Sequence, residues 1–160
     1  MHSRLVALSL AVLVVGACGG RDDGGALPAP SPSPTFRHGS AIIETDDGAV
    51  LVNVEVADRP ELQSLGLMYR ESLPEDSGMV FLFFDETSTG FWMKNTLIPL
   101  SIAFFARDGE ILEILDMEPC ESEECPTYAP GVSYRGALEV NQGAFQSWGV
   151  EIGDKIRISP

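Results

Sequence analysis

From residue 41 onward the apolar residues fall into short runs separated by turn residues, not into long helical stripes. Ala41–Thr45 and Val50–Val56 flank Asp46-Asp47-Gly48. An Asp-Gly step between two apolar runs is a strong hairpin signal. In the second run Val50, Val52, Val54 and Val56 share one face, and Asn53 and Glu55 lie on the other. That alternation predicts a half-buried strand. Asp58-Arg59-Pro60-Glu61 then reads as a helix start, with Asp58 as the capping acceptor and proline in the first turn. Leu62, Leu65 and Met68 or Tyr69 supply the helical spacing of a short helix. Ser72–Gly78 reads as a loop, and Met79–Phe84, almost wholly apolar, as a buried strand.

The pattern continues in the same style. Asp85–Gly90 is a turn, Phe91–Lys94 a short strand, and Asn95–Pro99 irregular. Ser101–Phe105 and Glu110–Leu115 flank Arg107-Asp108-Gly109, a second hairpin. Pro119–Tyr134 reads as a long loop, of the length that is usually functional or disordered. Arg135–Val140 is a strand, Gln142–Trp148 a short helix with Phe145 and Trp148 on one side, and Lys155–Ile158 a last strand. About seven short strands with two small helices predict an α+β domain that is mostly β and mostly antiparallel. Closure into a small barrel-like form would remove its exposed edges. The strand order does not follow from the pattern.

The first 38 residues follow other rules. Arg4 precedes Leu5–Val15, a run of Leu, Val and Ala with one Ser, and then Gly16-Ala17-Cys18. A charged start, a short apolar run and small residues before a cut are the parts of a secretory signal, here residues 1–17. The run is short of the roughly 20 apolar residues that span a bilayer. Val15-Gly16-Ala17-Cys18 resembles the bacterial lipobox, whose cysteine becomes an acylated N-terminus; the alternative is an ordinary signal peptide with an incidental cysteine. Several acyl chains on Cys18 would anchor the chain to a membrane stably, where a single chain binds marginally. No acidic residue follows Cys18 directly. In a diderm bacterium that favours the outer membrane, facing the periplasm; in any other, the anchor holds the chain on the outer face of the plasma membrane. Residues 18–38 read as a tether, Gly-rich and then alternating Pro28, Pro30, Pro32 and Pro34, with an extended Pro-rich part of about 3 Å per residue. Residues 39–160 remain as one domain.

Charge and cysteine content narrow the function. The chain has 24 acidic and 10 basic residues, a formal net charge of −14. Nucleic acid and anionic lipid headgroups are poor partners for that field. A cationic partner is compatible with it, and so is a plain solvated acidic surface. Of three cysteines, Cys18 is the lipidation candidate, which leaves Cys120 and Cys125. An exported pair this close is expected to be a disulfide. The pair could instead bind metal, but no further Cys or His lies near it. The two histidines are His2 and His38, so the domain has none for a triad, a Cys–His pair or a zinc site.

Three stretches resemble the DUF192 family of bacterial and archaeal domains. They are Gly66-Leu67-Met68-Tyr69-Arg70 leading to Gly78-Met79-Val80-Phe81, then Phe91-Trp92-Met93-Lys94-Asn95-Thr96-Leu97-Ile98-Pro99-Leu100, and Cys125-Pro126-Thr127-Tyr128 followed by Ala137-Leu138-Glu139-Val140. The resemblance covers Ile43–Ile158. It implies a compact β-barrel-like domain, often exported or membrane-anchored, and no established reaction. The family usually has an aspartate directly after Ile-Pro-Leu; here that position is Ser101. An acid or base at that point in relatives would be missing from this chain.

Six residues in these motifs are candidates for ligand binding: Arg70, Trp92, Lys94, Asn95, Tyr128 and Glu139. Aromatic groups with a few convergent polar groups make ligand sites; the alternative is core packing. In a strand Trp92 and Lys94 share one face, and they are the pair expected at a pocket. Lys94, if buried beside aromatics, could serve as a base; the alternative is a structural ion pair, with Glu139 as a partner, or hydrogen bonds to nearby irregular backbone. Arg70 is either a carboxylate- or phosphate-reading fork or a bond to the carbonyls ending the first helix. Met68, Met79, Met93 and Met117 admit copper(I) binding, against ordinary gap-filling in a core. Three functions follow: non-catalytic binding of a ligand or protein at the cell envelope, which is the leading one, an enzyme acting on envelope polymers through carboxylates and Lys94, and a methionine-based copper carrier. No catalytic residue, metal site or cofactor is assigned.

Overall fold

A computed structural model describes residues 35–159 of the chain. The expected signal, Cys18 and the Pro-rich part of the tether lie outside the described residues. Among those described, no helix is long and apolar enough to cross a membrane.

The domain is mostly β, with two short helices. Strands β1 (Arg37–Thr45) and β2 (Gly48–Ala57) form the first expected hairpin, closed at Thr45 and Gly48. Strand β1 starts two residues earlier than residue 39 and takes in Arg37 and His38. Helix α1 (Pro60–Leu65) follows, with Pro60 in its first turn. Its cap differs from the sequence expectation. Arg59, in extended backbone, is the capping residue and no side chain caps the helix. Asp58 instead accepts a 2.7 Å hydrogen bond from Arg37 on β1. That bond holds the Asp58 carboxyl below the usual carboxylate range.

The remaining elements are β3 (Ser77–Thr87), β4 (Phe91–Trp92), β5 (Leu100–Phe105), β6 (Ile111–Met117), β7 (Thr127–Tyr128), β8 (Tyr134–Asn141), α2 (Ala144–Ser147) and β9 (Lys155–Ser159). Seven strands make one sheet in the order β6-β5-β8-β3-β2-β1-β9. Its pairs are antiparallel except β2 and β3, which run parallel across the α1 crossover. The β5–β6 pair is the second expected hairpin.

The ladder does not close, but its two edges meet at one end. Glu110 and Lys155 form an antiparallel bridge between the starts of β6 and β9. Ile111 N–H donates to the Asp154 carbonyl and Ile156 N–H to the Gly109 carbonyl, both at 2.8 Å. The sheet is therefore barrel-like, and the bridge blunts two edges that would otherwise template pairing with another chain.

Alternation along the strands produces two cores. Ile43, Val54, Val80, Leu138, Val140 and Phe145 belong to the one inside the curl of the sheet. Leu62, Met79, Phe81, Ile102, Phe104 and Met117 belong to the second, on the opposite face of the central strands. All of β5 is buried for this reason. The second core is covered by α1 with the turn after it and by a two-stranded sheet of β4 and β7, paired Phe91 to Tyr128 and Trp92 to Thr127. Strand β7 lies in the stretch that the pattern read as a loop. Close approach of β3 to β8 requires a glycine at position 78, since a Cβ there would collide with the Glu139 carbonyl.

Candidate functional site

The covering layer leaves a cleft of about 480 Å³ over the second core. Pro60, Gln63, Ser64 and residues 65–68 form one wall, and Thr89–Trp92 with Thr96 form the other. Phe81 and Phe83 enter from β3, and Tyr134 and Glu139 from β8. The rings interlock edge to face. Phe91 sits 4.8 Å from Phe81, and Tyr134 sits 5.6 Å from Phe83 and 4.8 Å from Phe104, between ring centroids. Such pairs stabilise by about 0.5–1.5 kcal/mol each beyond the area they bury. The Tyr134 hydroxyl donates to the Thr89 carbonyl and fixes the rim. Burial pushes its pKa up to about 12. Gln63 crosses the wall to donate to the Leu82 carbonyl at 2.9 Å. Trp92 stands at the mouth, 51% exposed.

Glu139 is the unusual member. It sits on β8 between β3 and β5, directly opposite Met79 on one side and Ile102 on the other. Cross-strand partners share a face, so its carboxyl lies among the apolar groups of the second core while lining the cleft. It is 4% exposed. Among the described residues no hydrogen bond reaches the carboxyl. Desolvation raises its pKa to about 8, which keeps it protonated in neutral solution.

Of the six sequence candidates, Trp92 and Glu139 line this cleft and the other four brace its walls. Arg70 forms an ion pair with Glu55 on β2. Lys94 donates to the Ser122 carbonyl at 2.8 Å and to Glu123 at 3.1 Å, so its carboxylate partner is Glu123 and not Glu139. Asn95 and Tyr69 are both at positive φ, 58° and 63°. They clasp each other: Tyr69 N–H donates to the Asn95 carbonyl at 2.8 Å, and Asn95 Nδ2 donates to the Tyr69 hydroxyl at 2.9 Å. Non-glycine residues hold this backbone only where neighbours over-determine it. The clasp ties the turn after α1 to the segment carrying Thr96, the two walls of the cleft. Tyr128 pairs with Phe91 through β7 and accepts a hydrogen bond from Glu118 N–H at 3.1 Å.

A disulfide joins Cys120 and Cys125, with Cα atoms 5.8 Å apart. Cys120 also bridges Lys94 and Thr96 through the backbone, and its carbonyl accepts from Asn95 N–H at 2.9 Å. Replacing both cysteines by serine is expected to cost about 2 kcal/mol from the restored freedom of the short loop. Urea unfolding of the oxidised chain and the double variant measures this. A difference near zero would mean that the Lys94 and Asn95 bonds alone order the loop.

The sequence did not single out Thr96, Gln63 or Tyr134. Thr96 is a buried polar side chain on the cleft, and its signal was its place inside the Phe91–Leu100 motif. Ser101 is away from the cleft. It is buried, donates to Asp116 on the paired strand, and accepts from Gly143 N–H at 2.9 Å at the start of α2. That position therefore positions a helix entry in this chain. Met79, Met93 and Met117 are core side chains, and Met68 lines the cleft. Among the described residues no cluster of three His, Cys, Asp or Glu is placed to hold a metal ion.

Fold and motifs together define a class. The DUF192 family model, described as an uncharacterized ACR, matches residues 41–158. The chain belongs to the DUF192 family. It is similar to a crystal structure from Sinorhizobium meliloti 1021, a protein provisionally described as a transcription regulator, at 31% identity and a TM-score of 0.72 over 79% of this chain and 98% of that one. It is also similar to a protein of unknown function from Novosphingobium aromaticivorans DSM 12444, at 28% identity and a TM-score of 0.72 over 83% of this chain and 94% of that one. No curated protein matches the chain.

Proposed function

We propose that the chain is a lipid-anchored envelope protein whose domain binds a small ligand, without catalysis, in the aromatic cleft. The observation that carries this reading is Glu139, a 4%-exposed residue whose carboxyl lines that cleft and, among the described residues, takes part in no hydrogen bond within the protein. A ligand group that pairs with this carboxyl would do so in the low-dielectric surroundings of the second core, where a polar contact is stronger than in water. The surroundings suit binding more than turnover. Lys94, the candidate base, is held against the loop of the disulfide and does not line the cleft. A nucleic-acid role, as the Sinorhizobium description would suggest, meets a chain of net charge −14 and a cleft that no basic side chain lines among the described residues. Lipid on Cys18 and a Pro-rich tether would hold the cleft at the membrane surface, facing envelope ligands.

Mass spectrometry of the full chain, extracted gently in detergent from bacterial membranes, tests both halves. The intact mass is expected to show cleavage before Cys18 and acyl chains on it. Under native conditions a small-molecule adduct is expected on the wild-type chain and absent from Trp92→Ala. An unmodified Cys18 would remove the anchor, and an adduct-free mass that stays so in envelope glycan and peptide titrations would remove the binding reading.

A further inference from the structure

We infer that the cleft selects an organic cation, a small molecule bearing an ammonium group whose positive end meets Glu139 between aromatic walls. This rests on reading the cleft as a ligand site and adds the ligand's class. Among the described residues Glu139 is the one acidic side chain lining the cleft, and no Lys, Arg or His lines it. Tyr134 is the other titratable group there, and its hydroxyl is committed to the Thr89 carbonyl. The nearby cations of the family motifs are spent elsewhere, Arg70 on Glu55 and Lys94 on Glu123.

The walls favour the same class. Phe81, Phe83, Phe91 and Trp92 line the cleft, and aromatic faces attract a desolvated cation through their quadrupole. An anion would find no positive group to pair with. A polyhydroxylated ligand would need many directed hydrogen bonds, and the cleft holds few free ones, since the Gln63 amide already donates to Leu82. A carboxyl kept neutral by burial, with its pKa near 8, gives up its proton when a cation arrives beside it. Cation entry is thus coupled to release of a proton, with Tyr134 too far above neutral pH to share in it.

The experiment is calorimetric titration of the full chain in detergent micelles with two probes of one shape. One is choline. The other is its uncharged carbon isostere, in which a tert-butyl group replaces the trimethylammonium. Choline is expected to bind saturably and at least about tenfold more tightly than the isostere. Its binding heat is expected to change with the ionisation enthalpy of the buffer, the mark of a released proton. Glu139→Gln is expected to cut choline's advantage over the isostere by at least about tenfold, leaving only what the aromatic walls supply, and Trp92→Ala, which leaves the Glu139 carboxyl in place, to weaken both. Equal affinity for the two probes would overturn the cation and leave the cleft as a binding site. No binding of either at millimolar concentration would overturn the cation as well, and the ligand adduct on the native chain then decides whether the cleft binds anything.

Discussion

Glu139→Gln is expected to stabilise the protein, and by an amount that grows with pH. The Glu139 carboxyl has a folded-state pKa of about 8 against an ordinary value of 4.5. Below pH 4.5 it is protonated both folded and unfolded, and it contributes no pH dependence. Between pH 4.5 and 8 the unfolded chain loses the proton and the folded chain keeps it, so folding becomes less favourable as pH rises. The slope is about 1.4 kcal/mol per pH unit. Above pH 8 both states are ionised and the penalty levels off, at roughly 5 kcal/mol. Glutamine, of nearly the same shape, carries no such penalty.

Other carboxyls run the opposite way. Asp58 is held low by Arg37, and Asp108 by its hydrogen bond from Lys155. Each favours folding above its unfolded pKa and loses that contribution in acid. Both are unchanged in the variant, so the difference between variant and wild type isolates Glu139. Urea unfolding at pH 5, 6.5 and 8 measures it. Two stability curves that stay parallel across that range would show that the carboxyl is not desolvated, and the cleft would lose its distinguishing group.

How Glu139 came to be buried explains how far the sequence could be read. The alternation of Ala137-Leu138-Glu139-Val140 is that of a strand with one face in the core, and Leu138 and Val140 are indeed in the core inside the curl. On that pattern alone Glu139 belongs to a solvent face. It is buried because a second layer, α1 with its following turn and the β4–β7 pair, lies over that face. No local period records a cover assembled from segments dozens of residues away. The same limit hid β7, two residues whose strand character comes from pairing with Phe91 and Trp92. It hid the parallel β2–β3 pair, because valine alternation fixes which face is buried and not the direction of the neighbour.

What was local was legible. Both Asp-Gly hairpins form where the turn residues placed them. The Cys120–Cys125 disulfide is present. At the candidate site the motif residues were legible as important and illegible in role. Arg70 and Lys94 read either as ligand groups or as structural ones, and Asn95 as a ligand group; in the fold each is engaged in holding one segment against another. Tyr69 and Asn95 show why. Their left-handed backbone is a property of the assembled walls, and neither residue type demands it.

Phe104→Ala is expected to be the most damaging single core change, with a loss of about 3–5 kcal/mol. Phe104 lies on β5, fully buried, with its ring 4.8 Å from Tyr134 and 5.7 Å from Phe91. Truncation removes the ring that both of these pack against, and rigid strands on either side of β5 prevent the void from closing. Thermal unfolding is expected roughly 10–20 °C lower than wild type. Phe84→Ala is the matched control: Phe84 is 90% exposed, so the same truncation is expected to stay within about 0.5 kcal/mol. The damage is also expected to reach the cleft. Tyr134 fixes the Thr89 rim, and Phe91 carries β4 and with it Trp92 at the mouth. Phe104 supports both from beneath without lining the cleft. A loss below about 1 kcal/mol would mean that Phe91 and Tyr134 settle into the vacated space. The cleft would then be shaped by its ligand and not held open by the second core.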